Sequence, residues 1–171
     1  MANSTFGTVA DTIYTDLDHE IKSTRRMLER YPEGHDDWRP HAKSMSLSKL
    51  ASHTAELPQF ATTMVTTDSM DFMKGEYVSH SCNSKAELLE LFDSSTDALR
   101  AALSAADSAA LDRTWTLRKG EDVVLSGRKR DLIRGMALNH MVHHRAQLGV
   151  YYRMLDVPVP GLYGPSADEP N

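Results

Sequence analysis

Three histidines occupy positions at which a helical repeat places apolar side chains. His140 and His144 are four residues apart, so on a helix they are neighbours on one face, and that face is otherwise apolar. His53 lies between Leu50 and Leu57 on the apolar stripe of a separate predicted helix. The sequence therefore predicts that three imidazoles point towards the interior of a helical protein.

An imidazole in a protein interior needs a partner, because burying it without one costs about 1–3 kcal/mol. Hydrogen bonds within the core are one way to provide it. A divalent cation would satisfy His53, His140 and His144 together, through one ring nitrogen of each. Three protein ligands leave positions for water or substrate, which is typical of catalytic metal sites. We therefore predict a three-histidine metal site, from which the metal should dissociate as the pH falls through ~6 and the ligands become protonated.

Several other residues are candidates for a role at this site, but each also has an ordinary structural interpretation. Glu56 could orient a ligand or act as a general base, although a solvated helix glutamate is the simpler expectation. His143 lies towards the edge of the apolar stripe and is predicted to be a rim residue. Arg145 and Tyr151 are weak candidates for pocket residues, with a salt bridge and plain core packing as the alternatives. Trp38 is expected to pack against one end of the helices.

The remaining histidines and the single cysteine are expected to be structural or surface residues. They fall on polar helix faces or in connections, and they are His19, His35, His41, His80 and Cys82. No serine or cysteine triad signature, phosphate-binding loop or glycine-rich dinucleotide turn is present in the sequence. The chemistry is therefore expected to depend on the predicted metal site.

The elements that must position these side chains are four stretches with helical periodicity. They cover about residues 4–31, 46–67, 84–106 and 128–155. Pro58 lies inside the second stretch and should kink it near Thr54. Residues 114–127 are expected to form two short extended pieces. The pattern predicts an all-α fold, a four-helix bundle, in one domain that spans residues 1–171 and ends in a loop or tail over 156–171.

Length and charge restrict the class of protein. The chain has 171 residues, a formal net charge of −5 and one cysteine. An acidic balance argues against a nucleic-acid binder, and one thiol excludes a disulfide framework within the chain. The sequence has neither the basic start and apolar run of a secretory signal nor a membrane-spanning stretch. We therefore expect a soluble cytoplasmic protein with a small-molecule substrate and no membrane or nucleic-acid partner.

The histidine-bearing segments resemble the DinB (damage-inducible) family. The resemblance is carried by the run NHMVHHRAQL over residues 139–148, by Leu50-Ala51-Ser52-His53 and by the tail over residues 157–169, and it extends over nearly the whole chain. Trp38 and Trp115 stand where such proteins often have aromatic residues. One departure is Ala146, where the family often has glycine.

The resemblance implies a four-helix bundle in up-down-down-up order, often a homodimer. It also implies a divalent metal, most often Zn²⁺ or Ni²⁺, on His53, His140 and His144. Related bundles include S-transferases and isomerases that use low-molecular-weight thiols such as bacillithiol, mycothiol or glutathione. The expected function is thus a thiol-dependent S-transferase. The alternatives are a metal-dependent hydrolase and a non-catalytic metal- or ligand-binding protein of the stress response.

Overall fold

The protein is mostly helical, with a small sheet at one side. A computed structural model describes residues 14–169. Helix α1 spans Leu17–Leu28, α2 spans Leu47–Thr66, and α3 spans Lys85–Ala105, followed by the short α4 over Ser108–Asp112. The last helical run consists of α5 (Lys129–Leu132), a π-helical segment (Ile133–Asn139) and α6 (His140–Met154). The part of the first predicted helix that precedes residue 14 lies outside the described residues.

The helix boundaries follow from local chemistry. The Ser46 hydroxyl accepts a hydrogen bond from the backbone N–H of Lys49, and Ser84 does the same for Glu87, so both helices begin with a side-chain cap. Pro58 lies inside α2, which continues to Thr66. The kink that Pro58 predicts near Thr54 stays a prediction.

The four long helical elements pack in a ring around the core. Helix α1 lies mainly against α3 and α6, and α2 lies mainly against α3, the π-helical segment and α6. The interior between them is filled by fully buried side chains, among them Leu28, Leu50, Phe92 and Leu148. This packing brings α2 and the last helical run side by side, which a site shared by His53 and His140 requires.

A three-stranded sheet corrects the all-α prediction. Its strands are β1 (Ser69–Asp71), β2 (Thr114–Lys119) and β3 (Asp122–Arg128), in the order β1-β2-β3. The hairpin of β2 and β3 corresponds to the two extended pieces predicted over 114–127. Strand β1 has only three residues, too few for the alternation of apolar and polar residues that identifies a strand in a sequence.

The sheet packs on the helices through the inward side chains of β2. Trp115 is fully buried, its ring lies 5.9 Å from that of Phe60 in α2, and its indole N–H donates to Thr67 at 3.0 Å. A 3₁₀ turn over Phe72–Lys74 follows β1 and is held to the hairpin, because the Asp71 carboxylate accepts the backbone N–H groups of Met73 and Gly120. Among residues 14–169, no helix has the length and the apolar character needed to span a membrane.

Candidate metal centre

The three predicted histidines lie together between α2 and α6. One potential ligand atom from each of His53, His140 and His144 lies within 4.8 Å of the others. The Nε2 atoms of His140 and His144 are 2.7 Å apart, and the ring of His53 is 5.1 and 4.9 Å from theirs. Two consecutive turns of α6 provide one side of the cluster and α2 provides the other.

Hydrogen bonds fix the tautomer of each imidazole. His53 Nδ1 lies 2.8 Å from Glu56 Oε1, His144 Nδ1 lies 2.7 Å from Gln147 Oε1, and His140 Nδ1 lies 3.3 Å from the carbonyl oxygen of Met136. All three partners are oxygen acceptors, so each Nδ1 carries the proton and donates it. Each neutral ring then has its lone pair on Nε2. This is the arrangement that orients histidine ligands in metal sites.

The electrostatics of the cluster favour a cation over a shared proton. Two lone pairs 2.7 Å apart repel unless a positive centre lies between or beside them. Burial lowers the pKa of His144 from 6.5 to about 4, and burial, together with the repulsion that a second positive charge on His53 would exert, lowers the pKa of His140. Protonation of His140 and His144 is therefore unfavourable at neutral pH. A divalent cation fits the donor set, because neutral imidazole nitrogens are ligands for Zn²⁺ and Ni²⁺.

Glu56 is buried, which corrects the expectation of a solvated side chain. It is 2% exposed, and its two carboxylate oxygens accept four hydrogen bonds. Oε1 accepts from His53 Nδ1 and from the Tyr77 hydroxyl, while Oε2 accepts from the backbone N–H and Nδ1 of His80. Burial alone would raise the pKa of Glu56, but these hydrogen bonds outweigh it and lower the pKa. Glu56 is thus an ionised residue that holds His53, and it has no free lone pair aimed at a substrate.

Three residues of this network were not predicted from the sequence. Tyr77 and His80 come from the connection between β1 and α3, whose irregular sequence carries no periodicity that would bring them to α2. His80, expected to be a surface residue or to pack within its loop, is half-buried against Glu56. Gln147 follows His144 by three residues, as Glu56 follows His53. That repeated spacing is the signal that could have identified both orienting residues.

An apolar cavity opens beside the cluster. Its volume is about 230 Å³, and His53 and His140 form one part of its wall. The rest of the wall is apolar or aromatic and includes Phe60, Tyr77 and Leu117. A small substrate placed there would lie next to the imidazoles.

The other candidate residues lie away from this cavity. The Arg145 guanidinium is buried against Glu20 at 2.7 Å and also donates to Thr24, so it has the structural role that was one of its two readings. Tyr151 donates its hydroxyl to the Met45 carbonyl.

Three further residues that the sequence singled out take peripheral or core positions. Trp38 packs edge-on against the ring of Tyr151. His143 is exposed beside His144, as predicted for a rim residue. Cys82 is buried and unpaired.

The protein is thus mostly helical and has a candidate metal centre between two of its helices. The sequence pattern of the DinB family matches residues 1–171, and the chain belongs to that family. The family predicted from the histidine-bearing segments is therefore confirmed.

Comparison with solved structures agrees on the fold. The protein is similar to a DinB-like protein from Bacillus subtilis whose crystal structure is known, with a TM-score of 0.64 and 19% sequence identity. The similarity covers 85% of this chain and 92% of the other. No curated protein matches the chain by sequence.

Proposed function

We propose that this protein is a metal-dependent enzyme of the thiol S-transferase type, with a divalent cation held by His53, His140 and His144. The observation that carries the proposal is the set of three imidazoles whose Nδ1 atoms are all engaged by oxygen acceptors and that bring one potential ligand atom each to within 4.8 Å of one another. We also propose that the long helical elements form a DinB-type bundle in up-down-down-up order.

The chain's own groups would bind and orient. Glu56 holds His53, Gln147 holds His144, and the Met136 carbonyl holds His140, so the ligands are fixed before any metal arrives. A divalent cation bound there would lower the pKa of a thiol cosubstrate and hold its sulfur as the thiolate. The neighbouring cavity, which His53 and His140 border, would hold the second substrate.

One observation counts against a hydrolase that uses Glu56 as its base, and another counts against a purely structural metal. A general base that takes a proton from water needs a free oxygen, and Glu56, the candidate for that role, has both oxygens occupied by donors. Structural zinc sites are closed by four protein ligands, whereas here the cluster has three histidines and two of them, His53 and His140, border a cavity.

A thiol-consumption assay tests the proposed function. Zinc- or nickel-loaded protein is incubated with an electrophile and each of several low-molecular-weight thiols, and the loss of thiol is followed over time. We expect metal-dependent turnover that His53→Ala abolishes and that His143→Ala, a change in an exposed neighbouring imidazole, leaves intact. Metal binding without turnover of any thiol would overturn the transferase assignment and leave a metal-binding protein.

A further inference from the structure

The cavity beside the histidines differs in character from the polar cosubstrates that a thiol transferase uses. Among residues 14–169, those that line it include no aspartate, glutamate, lysine or arginine: beyond His53 and His140 they are aliphatic, aromatic or methionine. The Tyr77 hydroxyl is the one further polar side-chain group that these residues provide, and it is engaged with the Glu56 carboxylate. The wall therefore offers a ligand little beyond apolar contact.

We propose that this cavity binds a neutral, ring-sized apolar group of the electrophilic cosubstrate, and that the polar body of the thiol stays outside it. The inference rests on the proposed function for the identity of the two substrates. The preference of the cavity for neutral apolar groups rests on the lining alone. It can therefore be tested whether or not the protein turns over a thiol.

The size of the cavity sets the size of the group. A protein cavity of about 150 Å³ lined by apolar side chains holds benzene, and the cavity here is about 230 Å³. It accommodates one six-membered ring with a short substituent. A fused polycyclic group or a long acyl chain would project into solvent.

The aromatic part of the wall is already formed. The rings of Phe60 and Phe72 each meet the ring of Tyr77 edge-on, at 6.2 and 5.9 Å. The Phe72 turn is held in place by Asp71, and Tyr77 is held by Glu56. A flat apolar ligand would therefore meet an organised surface, and little conformational entropy would be lost when it binds.

The edge of the cavity is the part that faces solvent. Phe72 is 43% exposed and Met136 is 37% exposed, although both are large apolar residues that line the cavity. Covering them with an apolar group removes that surface from water, which favours binding. A carboxylate or ammonium group in the same place would lose its hydration and find no charged partner in the wall. The lining thus selects against charged groups as well as for apolar ones.

A set of three similar probes tests this selection. Benzyl alcohol is neutral, benzoate is anionic and benzylamine is cationic at neutral pH, while all three carry the same ring. Binding to the full-length protein is titrated by saturation-transfer NMR, and the ¹³C-labelled methionine methyl groups report where each probe lies. Titrations are run with zinc-loaded protein and again after chelation, since benzoate could bind zinc directly.

We expect benzyl alcohol to bind saturably and to shift the Met136 methyl resonance. In the chelated protein it should bind at least tenfold more tightly than benzoate or benzylamine. Met136→Trp, which fills the mouth of the cavity, should weaken benzyl alcohol binding at least tenfold. Met154→Trp is the matched control, because Met154 lies on the same helical run, is exposed and does not line the cavity. It should leave binding within twofold of wild type.

Three results would overturn the inference: no saturable binding of benzyl alcohol, equal affinity for a charged probe in the chelated protein, or equal effects of Met136→Trp and Met154→Trp. Failure of the proposed function has a different pattern, in which benzyl alcohol binds as expected but no metal binds or no thiol is consumed. The two failures are therefore distinguishable.

Discussion

At the scale of single residues, the tautomers of three imidazoles determine what the site can bind. Each Nδ1 has an oxygen acceptor within 3.3 Å, so the three Nε2 atoms are left free to act as metal ligands. Two of those acceptors lie three residues after the histidine they orient. The third is the carbonyl of Met136, which belongs to the π-helical segment immediately before His140.

The orienting role of Glu56 leads to the first prediction. Glu56→Gln keeps the size of the side chain but removes the charge that stabilises the Nδ1–H of His53. Loss of such a partner typically costs 10- to 100-fold in metal affinity, and we expect a zinc Kd weakened by that range. Competition titration with a chromophoric chelator measures it. Glu90→Gln, in an exposed residue of α3, is the control. Equal zinc affinities for the two variants would show that Glu56 does not support the site.

The lowered pKa of His144 predicts how stability varies with pH. Burial moves this pKa from 6.5 to about 4. Between those values the unfolded chain binds a proton that the native metal-free protein does not bind, so the free energy of unfolding falls as the pH drops from 6.5 to about 4. Above pH 6.5 His144 is unprotonated in both states, so the free energy of unfolding no longer depends on pH through this residue. Metal release is likewise expected below the pH of ~6 that ordinary imidazoles would give.

Urea unfolding of chelated protein across this pH range provides the measurement. His144→Gln should have a flatter dependence on pH than the wild type, because the titrating ring is gone. His143→Gln, in an exposed ring, should retain the wild-type slope. The same slope for wild type and His144→Gln would contradict the burial of an unprotonated His144.

The three histidines of the candidate metal centre could be identified from sequence, whereas their surroundings could not. His53, His140 and His144 stand out because a polar ring on an apolar stripe is unusual. The environment of Glu56 is set by Tyr77 and His80, which come from an irregular connection more than 20 positions further along the chain. Contacts of that kind leave no local pattern in a sequence.

At the scale of the elements, a buried ion pair joins α1 to α6 and to the C-terminal tail. Arg145 lies 2.7 Å from Glu20 and donates to the Glu20 backbone carbonyl and the Thr24 hydroxyl of the same helix. The Tyr163 hydroxyl, from the tail, completes the group by bonding both Arg145 and Glu20. Both charged side chains are almost fully buried, so removing one leaves the other without compensation.

We predict that Arg145→Met destabilises the fold by about 3–5 kcal/mol, the usual cost of breaking a buried pair. Arg153→Met is the matched control, because Arg153 pairs with Asp168 on the surface of the same helix. Its cost should be at most ~1 kcal/mol. Urea denaturation measures both values. Similar losses for the two variants would mean that the Arg145 pair contributes no more than a surface pair.

The helical periodicity of the sequence fails at one element, the π-helical segment. A regular period of 3.6 places Met136 on the same face as Ile133 and Ala137, and both of those are buried. Met136 is instead exposed at the edge of the cavity. A π-helix bonds residue i to residue i+5, so the angles that assign faces in an α-helix do not hold across it. The same segment provides the carbonyl that orients His140.

At the scale of the whole molecule, helices provide the candidate ligands and the sheet completes the cavity. Leu117 comes from β2, and Phe72 comes from the turn that β1 leads into. The sequence indicated the hairpin but not the parallel pairing of β1 with β2, because β1 is short and its partner lies more than 40 residues away. The predicted four-helix bundle therefore accounted for the histidines, but it did not predict the cavity wall that the sheet provides.

The most direct test of the three-histidine centre is the metal content of protein purified without chelators, measured by elemental analysis. We predict a single divalent ion per chain in the wild type and in His143→Ala, and its loss in His53→Ala and His140→Ala. Equal metal content in the wild type and His53→Ala, or no bound metal in a wild type supplied with zinc and nickel, would contradict a metal centre at these residues.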